Sequence, residues 1–459
     1  MEGPTKELAR FAAELTYGQL PVEVKEKAKM CLLDALGCGL GACRHDHNLK
    51  LLEALNAFEA SGGSTVWGQK QKSPFWTAVL VNSSMVHTLD FDDFHKRGKV
   101  HCGSTVVAPV LAVAERIGST GEEIITALVA GYEVMLRVAI AADAAAHRLR
   151  GWHGTATCGT FGAAAAVGRL LGLDGYWLAN ALGSAGTQSS GLWAFTADGA
   201  MSKKFHAGRA AQSGAMAAFM ARSGFTGATK ILEAEDGGFL KAVSDRPHLE
   251  ALTEGLGSKW EIMDVGFKPF ACCRTIQPAI EAAITLKRRH GLQWKEIKRL
   301  EKIRVYTYSV AKKQNDLPLP PVNSNMAQFN LPFLVAVALR DGTIKLEALD
   351  ETSLNDEELL GVARKVEVLV DEEIEKQFPA KWGCRMELVA GSGGVLETYI
   401  ASAKGDPQNP LTLEDQRQKF LTLVDGSPYA GRGEDLFQVC LELEKEHMAA
   451  RLIRLLSLE

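Results

Sequence analysis

The sequence lacks several features that mark common classes of protein. Its 51 basic and 55 acidic residues give a formal net charge of −4, so no cationic excess is present to bind nucleic acid or an anionic membrane. The most apolar long stretch, residues 122–142, is interrupted by Glu133 and Arg137, which argues against a membrane span. The N-terminal residues lack the apolar core of a signal peptide. We therefore expect a soluble, cytoplasmic protein without nucleic-acid or membrane partners.

Motifs for metals, clusters and nucleotides are also missing. The nine cysteines include no C-x-x-C pair and lie mostly in apolar or Gly/Ala-rich segments, which is typical of reduced thiols in a protein core. The sequence contains no H-E-x-x-H, D-D-x-x-D or EF-hand pattern and no P-loop. These absences predict a protein without a metal ion or cofactor.

The first 250 residues or so have a helical pattern, with apolar residues spaced three and four apart. Three glycine pairs, Gly118/Gly121, Gly172/Gly175 and Gly224/Gly227, each lie between Ala-rich segments. Glycine adopts the left-handed conformation that often ends a helix, so we expect each pair to join two helices into a hairpin.

Near residue 260 the pattern changes to alternating β-branched and aromatic residues interleaved with helical segments. The alternation predicts strands at 260–267, 302–310, 365–371, 385–391 and 395–402. Tyr306 and Tyr308 lie at strand positions, so we expect one face of that strand to pack and the other to be open. At 459 residues the chain is long enough for two or three domains. We predict a mainly α fold: a large all-helical domain, residues 1–265 and 396–459, and a smaller α+β domain, residues 266–395.

A cluster of acid–base residues stands out in this apolar chain: Asp90, Asp92, Asp93, His95 and His101. Burying several ionisable groups together is costly unless they are paired or functional. Helix capping or a solvated loop would be a purely structural explanation for any one of them. A zinc or iron site is another alternative, although the spacing fits no known metal motif. We place the chemistry here.

Several segments together resemble the MmgE/PrpD family, in order along nearly the whole chain. They are DALGCGLGA (34–42), L-D-F-D-D-x-H-x5-H-x-G (89–103), GWHGTATCGTFGAAAA (151–166), KKFHAGRAAQSG (203–214), FKPFACCRTIQPAIEA (267–282) and GDPQNPLT (405–412), with KF at 419–420. The family includes 2-methylcitrate dehydratase, cis-aconitate decarboxylase and iminodisuccinate epimerase. The resemblance implies a large helical domain, a smaller α+β lid, a homodimer, and metal-independent chemistry on small di- or tricarboxylates in a cleft between the domains.

The resemblance also implies the site residues. The catalytic groups it implies are Asp90, His101, His153, Lys203 and Lys268. Further groups for binding substrate are Asp93, Phe94, His95, His206, Arg209, Arg274 and Tyr308. The lysines would stabilise a carbanion and bind carboxylates, and either catalytic histidine could move protons. Asp90 would orient an imidazole or act as base, and the sequence does not choose between these roles.

Three positions depart from the pattern common in the family. Phe94 replaces a threonine, Cys102 a proline, and Gln277 a histidine that many relatives carry. A phenyl ring cannot hydrogen-bond a carboxylate, so Phe94 predicts a substrate with an apolar or smaller group at that point.

The sequence thus favours a metal-independent lyase that forms a carbanion next to a carboxylate. The reaction that we expect first among the candidates is dehydration of a citrate-like or 2-methylcitrate-like hydroxy acid. Decarboxylation of cis-aconitate and epimerisation of an imino- or hydroxy-dicarboxylate are alternatives within the family. A helical binding scaffold without catalysis and a metal-dependent hydrolase are alternatives of other classes.

Overall fold

The computed structural model describes residues 3–57, 59, 61–378 and 380–458. The chain divides into two compact units: Met1–Phe195 with Met201–Gly266 and Thr412–Glu459, and Thr196–Ala200 with Phe267–Leu411. The first unit is almost entirely helical, and the second combines helices with a four-stranded sheet. The predicted fold class, mainly α with a smaller α+β part, is confirmed.

The first unit is built around a central helix, α8 (Gly154–Leu170), which packs against four others: α5 (Gly103–Ile117), α6 (Gly121–Ala141), α9 (Gly175–Gly186) and α10 (Ser202–Arg222). A two-stranded antiparallel ribbon pairs β1 (Phe94–His95) with β2 (Val265–Gly266). The other α-helices that precede β2 in the chain are α1 Pro4–Glu14, α2 Val22–Gly41, α3 Asp46–Asn56, α4 Phe75–Thr88, α7 Ala144–Leu149 and α11 Phe239–Val243.

The glycine corners behave as predicted in two cases of three. Gly118 and Gly172 have φ of 72° and join α5 to α6 and α8 to α9. Gly224 also has positive φ, 85°, directly after α10, but no helix begins at Gly227. Instead, the Gly227 amide donates to Asn180 Oδ1 on α9 at 3.0 Å. The expected third hairpin is therefore wrong, because this segment packs against α9 in an irregular conformation.

Small residues bring α10 close to α4 and α8. A Cβ at Gly208 would overlap the Leu80 carbonyl oxygen and Ser84 Oγ of α4, and one at Gly214 would overlap the Thr160 carbonyl oxygen of α8. Only glycine permits such an approach of backbone to backbone. The first residues of α10, which include Lys203, are thereby fixed relative to both neighbouring helices.

Helix α6 is the one described helix that is long and apolar enough to cross a membrane by length and composition. However, 94% of its most apolar window is buried inside the structure, which is typical of a core helix. Glu133 and Arg137, which argued against a span from sequence, are 3.2 Å apart and wholly buried. The helix thus tolerates both charges because they neutralise each other.

The second unit contains a sheet in the order β4-β3-β5-β6, formed by β3 Leu300–Thr307, β4 Val366–Val370, β5 Cys384–Ala390 and β6 Val395–Ile400. Only the β3–β4 pairing is parallel among these. Its helices are α12 Gln277–His290, α13 Trp294–Ile297, α14 Ser309–Asn315, α15 Ser324–Ala327, α16 Leu331–Asp341, α17 Glu351–Leu354, α18 Glu357–Ala363 and α19 Glu372–Gln377. All four strands were predicted from their alternation.

Residues 260–267 were expected to form a strand but form a 3₁₀ turn, Glu261–Asp264, followed by the short β2. The charged pair of α6 explains the difference. The Ile262 amide donates to Glu133 Oε1 at 2.9 Å, and Arg137 donates to the Lys259 carbonyl at 2.8 Å. These backbone groups are therefore satisfied by side chains rather than by a neighbouring strand.

The chain returns to the first unit after Leu411. The boundary expected between residues 395 and 396 instead falls within β6, which pairs with β5 and belongs to the second unit. Three helices follow: α20 Leu413–Asp425, α21 Gly433–Leu441 and α22 Met448–Leu456. A capping box starts α20, with Thr412 Oγ1 2.7 Å from Asp415 Oδ2.

Candidate active site of the helical unit

Asp90 lies just after α4, where the chain turns sharply. Its φ is 50°, in the left-handed region that non-glycine residues rarely adopt. This turn directs the carboxylate to the Lys203 ammonium in the first turn of α10, and both side chains are almost wholly buried. Strained backbone of this kind persists where the surroundings enforce it, often at functional sites.

His87 and Asp92 form a second buried pair beside the first. His87 Nδ1 lies 2.7 Å from Asp92 Oδ2, and both side chains are fully buried. His87 is in the last turn of α4, and Asp92 follows the turn at Asp90. The carboxylate therefore fixes the orientation of the imidazole ring.

His101 packs beside His87, with ring centroids 5.0 Å apart. Its Nδ1 lies 2.5 Å from the Asp93 carbonyl oxygen and 3.7 Å from Asp92 Oδ1. A carbonyl oxygen only accepts hydrogen bonds, so the proton of a neutral His101 ring resides on Nδ1. Its Nε2 is then an acceptor, and the side chain retains 16% exposure.

His153 lies on the other side of His87, directly before α8, and the two rings stack with centroids 5.7 Å apart. Its Nδ1 is 3.2 Å from Nδ1 of His206 on α10. The rings of Trp193 and Phe195 pack edge-on against the His153 ring, with their centroids 5.5 and 5.7 Å from its centroid. Burial, followed by the neighbouring His87 and Lys203, holds the pKa of His153 well below its usual value.

His206 is partly exposed, and it follows Lys203 by one turn of α10. Burial and then the nearby Lys203 charge lower the pKa of His206 to about 4. His87, His101, His153 and His206 thus form a continuous row of imidazoles, next to the buried pair of Asp90 with Lys203.

Asp93 is buried beneath this row. Its carboxyl accepts hydrogen bonds from the Gly103 amide, 3.1 Å, and the Tyr132 hydroxyl, 2.8 Å. Burial and then the nearby charge of Asp92 raise the pKa of Asp93 to about 8, despite these hydrogen bonds. Asp93 therefore makes two contacts: its backbone carbonyl accepts from the His101 ring, and its carboxyl accepts from the first amide of α5.

Phe94 and His95 form β1, and the structure does not add His95 to the row of imidazoles. His95 Nδ1 accepts from the Gly98 amide at 3.1 Å, and its Nε2 lies 3.8 Å from Glu261. Burial lowers the pKa of His95 to about 4. Phe94 is 4% exposed and pairs with Gly266, and strand alternation directs its side chain to the face opposite His95.

Arg209 is exposed, and its guanidinium donates to Gln212 Oε1 at 2.5 Å. This hydrogen bond lies within its own helix and does not reach the row of imidazoles.

The other predicted residues belong to the second unit. Lys268 is wholly buried there, and Arg274 is ion-paired with buried Asp406. Tyr308 was expected at a strand position with one face open, but it follows β3 and is fully buried. Its ring stacks on Phe378 with centroids 4.4 Å apart, which explains why strand alternation did not predict its burial.

The sequence interpretation missed His87. It lies within the same stretch as Asp90 and precedes Asp92 by five residues, but it ends an apolar helix and so has the pattern of a core residue. Its proximity to the Asp90 turn was the available signal.

The structure brings three potential metal ligands together, His87, Asp92 and His101. Nδ1 of His87 is engaged by Asp92 and Nδ1 of His101 by a backbone carbonyl, so each ring would have to bind an ion through Nε2. A second group, His95, Glu261 and Asp264, is occupied by Arg97 and Lys259, which both form ion pairs with Glu261. The arrangement of the first group also suits proton transfer.

Comparison with known proteins identifies the family of this chain. The MmgE/PrpD N-terminal domain matches residues 6–252 and the MmgE/PrpD C-terminal domain residues 270–443. Cis-aconitate decarboxylase of Aspergillus terreus is 28% identical, covering 99% of this chain and 96% of that protein. Cis-aconitate decarboxylase of Homo sapiens is 25% identical, covering 91% and 86%. The 2-methylcitrate dehydratase of Escherichia coli (strain K12) is 24% identical, covering 75% and 73%. The resemblance noted in the sequence is confirmed, and the chain belongs to the MmgE/PrpD family of enzymes.

Proposed function

We propose that this enzyme is a lyase that acts on a small tricarboxylic acid through a carbanion next to a carboxylate. We place decarboxylation of cis-aconitate or a close analogue before dehydration, because the similar decarboxylases match 91–100% of this chain. The dehydratases match about three quarters of it, 75% for one of them. This order differs from the sequence-based preference for dehydration. The row of histidines beside a buried lysine is the structural observation that supports the proposal.

In such a decarboxylation, the bond between the carbon skeleton and one carboxylate breaks and carbon dioxide leaves. The electron pair of that bond passes through the double bond toward a remaining carboxylate, and a proton then adds to carbon. A tricarboxylate trianion and one proton thus become a dicarboxylate dianion and carbon dioxide. The enzyme has to stabilise the developing negative charge and supply that proton.

Lys203 is suited to stabilise the charge. Its ammonium is held by Asp90 in a buried setting, where electrostatic interactions are stronger than in water. We propose Lys268 and Arg274 as further ligands for substrate carboxylates, so that Lys268→Ala raises KM.

The ring tautomers suggest different roles for the two histidines. Nδ1 of His101 donates to the Asp93 carbonyl, so its Nε2 is an acceptor and suits a base. His153 forms a hydrogen bond with His206 through Nδ1, so Nε2 is the nitrogen with which His153 could act on the substrate. If His206 provides the proton of that bond, His153 carries its own proton on Nε2 and suits an acid. We therefore propose His153 as the proton donor to carbon.

Dehydration of a 2-methylcitrate-like acid is the second candidate, favoured by the matches to 2-methylcitrate dehydratases. There His101 would remove a proton next to a carboxylate, and His153 would protonate the departing hydroxyl. The same base, His101, and the same acid, His153, thus serve both decarboxylation and dehydration. Epimerisation would instead need a proton to be removed from one carbon and returned to it. We further propose that the enzyme works in the cytoplasm as a homodimer without a cofactor.

The test is product analysis by proton NMR on purified protein with cis-aconitate, citrate, 2-methylcitrate and aspartate-derived acids, each offered separately. We expect loss of carbon dioxide from cis-aconitate or its methyl analogue. His101→Ala is the matched inactive control. If no acid is converted or exchanges a carbon-bound proton for deuterium, the proposed function is wrong.

A further inference from the structure

His153 is a buried proton donor in the proposed reaction, at 2% exposure, and it has to regain a proton after each turnover. Its ring forms a hydrogen bond with His206, Nδ1 to Nδ1 at 3.2 Å. Two identical ring nitrogens bond only when one carries the hydrogen and the other does not. The pair therefore has a single shared proton between two complementary tautomers.

The surroundings of the two rings differ in access to water. Trp193 and Phe195 cover His153, whereas His206 is partly exposed. Lys203 faces both rings, and His87 and His101 also face His153. Burial and the Lys203 ammonium disfavour a standing positive charge on either imidazole, so a proton that enters the pair moves on instead of accumulating.

We propose that His206 is a proton-relay residue that protonates Nδ1 of His153 while Nε2 of His153 gives its proton to the substrate, so that the His153 ring stays neutral. The inference rests on the proposed function, since it assumes that His153 Nε2 gives a proton to the substrate carbon. As that N–H bond breaks, the proton shared between the rings passes from His206 Nδ1 to His153 Nδ1. His206 then binds a solvent proton at Nε2. One proton enters at His206 for each proton delivered to carbon, and both rings end neutral in the reversed tautomers.

Both tautomers are restored between turnovers. The protons return by the reverse shift, with His206 releasing a proton to solvent while His153 binds one at Nε2 from the open site. The relay is thus balanced in protons and needs no oxidant or other reactant.

Two variants separate relay from mere positioning. His206→Gln retains a side-chain amide that can hydrogen-bond His153 but cannot carry a proton onward. His206→Ala removes the ring and leaves room for added imidazole. The matched control is His248→Gln, a histidine in the same unit whose side chain is 53% exposed. kcat and KM are measured in dilute buffer, with and without imidazole, in water and in deuterium oxide.

We expect kcat of both His206 variants to fall by about 10-fold or more, with KM unchanged and a larger solvent isotope effect. Imidazole should restore kcat of His206→Ala in a saturable manner and leave the wild type and His248→Gln unaffected. A folding defect would not respond to imidazole. If the wild type is active and the His206 variants match it, or if no imidazole concentration restores His206→Ala, the relay is wrong. If the wild type converts no carboxylic acid at all, the proposed function fails, and the relay with it.

Discussion

Lys203 and Asp90 form an ion pair whose side chains are only 5% and 2% exposed, and Asp90 makes it from a backbone with φ of 50°. Removing one partner from a buried pair commonly costs about 3–5 kcal/mol, because the other charge stays buried without compensation. The Asp90 backbone is thus strained at the same place where two charged side chains are buried against each other.

Asp90→Asn is the substitution that isolates the charge, because asparagine tolerates the left-handed conformation and has nearly the same size. We expect kcat to fall by about 100-fold, with a smaller change in KM. Asp236→Asn, at an exposed position, is the control. Steady-state kinetics and circular dichroism of both variants check this prediction, which fails if Asp90→Asn retains wild-type kcat while folded.

His101→Ala removes the ring whose Nε2 is the proposed acceptor. We expect kcat to drop by about 100-fold or more while KM changes little, because the imidazole acts in proton transfer rather than in binding. His248→Gln again serves as control. Near wild-type kcat/KM in both the His101 and Asp90 variants would place the active site elsewhere.

The raised pKa of Asp93, about 8, links stability to pH. Between pH of about 4 and about 8 the folded protein keeps a proton that the unfolded chain has released, so the free energy of unfolding should decrease as pH rises through this window. Asp93→Asn should remove that part of the slope, whereas Asp236→Asn should not. Urea unfolding at pH 5, 6.5 and 8 measures it. A slope that Asp93→Asn leaves unchanged would mean that Asp93 titrates normally.

Metal removal tests the acid–base interpretation of His87, Asp92 and His101. Because the sequence contains no H-E-x-x-H, D-D-x-x-D or EF-hand pattern, we expect turnover to survive exhaustive chelation. Metal content of the purified protein is measured by mass spectrometry alongside kcat. Stoichiometric metal whose removal abolishes turnover and whose return restores it would overturn the mechanism.

Phe94→Thr tests substrate preference. If the ring faces the substrate, a carboxylate placed there lacks a hydrogen bond, which costs about 1–3 kcal/mol. We then expect the wild type to favour a methyl-bearing or smaller analogue over cis-aconitate, and Phe94→Thr to shift the ratio of kcat/KM toward cis-aconitate. A wild type that prefers cis-aconitate, with an unchanged ratio in Phe94→Thr, would show that the ring does not face the substrate.

The sequence predicted the helical fold, the four sheet strands and most members of the row of imidazoles. The fold was predictable because the hydrophobic periodicities of its helices and strands are clear. The histidines were predictable because they belong to motifs whose residues and spacing are specific. It missed His87, whose place at the end of an apolar helix resembles a core position. The burial of Tyr308 depends on stacking with Phe378, a contact that local alternation does not contain.

His95 illustrates why proximity in sequence was not enough. It is two residues from Asp93, yet β1 pairs with β2 far along the chain, and this pairing turns His95 toward Glu261. The direction of a side chain in so short a ribbon depends on its distant partner. Local pattern alone therefore grouped it with residues that it does not join.

Gly208 has no chemistry of its own, yet it sets how closely α10 approaches α4. A methyl group added there would meet the Leu80 carbonyl oxygen and Ser84 Oγ, so the two helices would have to separate. Because α10 carries Lys203 and Asp90 follows α4, that separation would act directly on the buried ion pair. A residue without a side chain is thus a condition for the pairing of two charged ones.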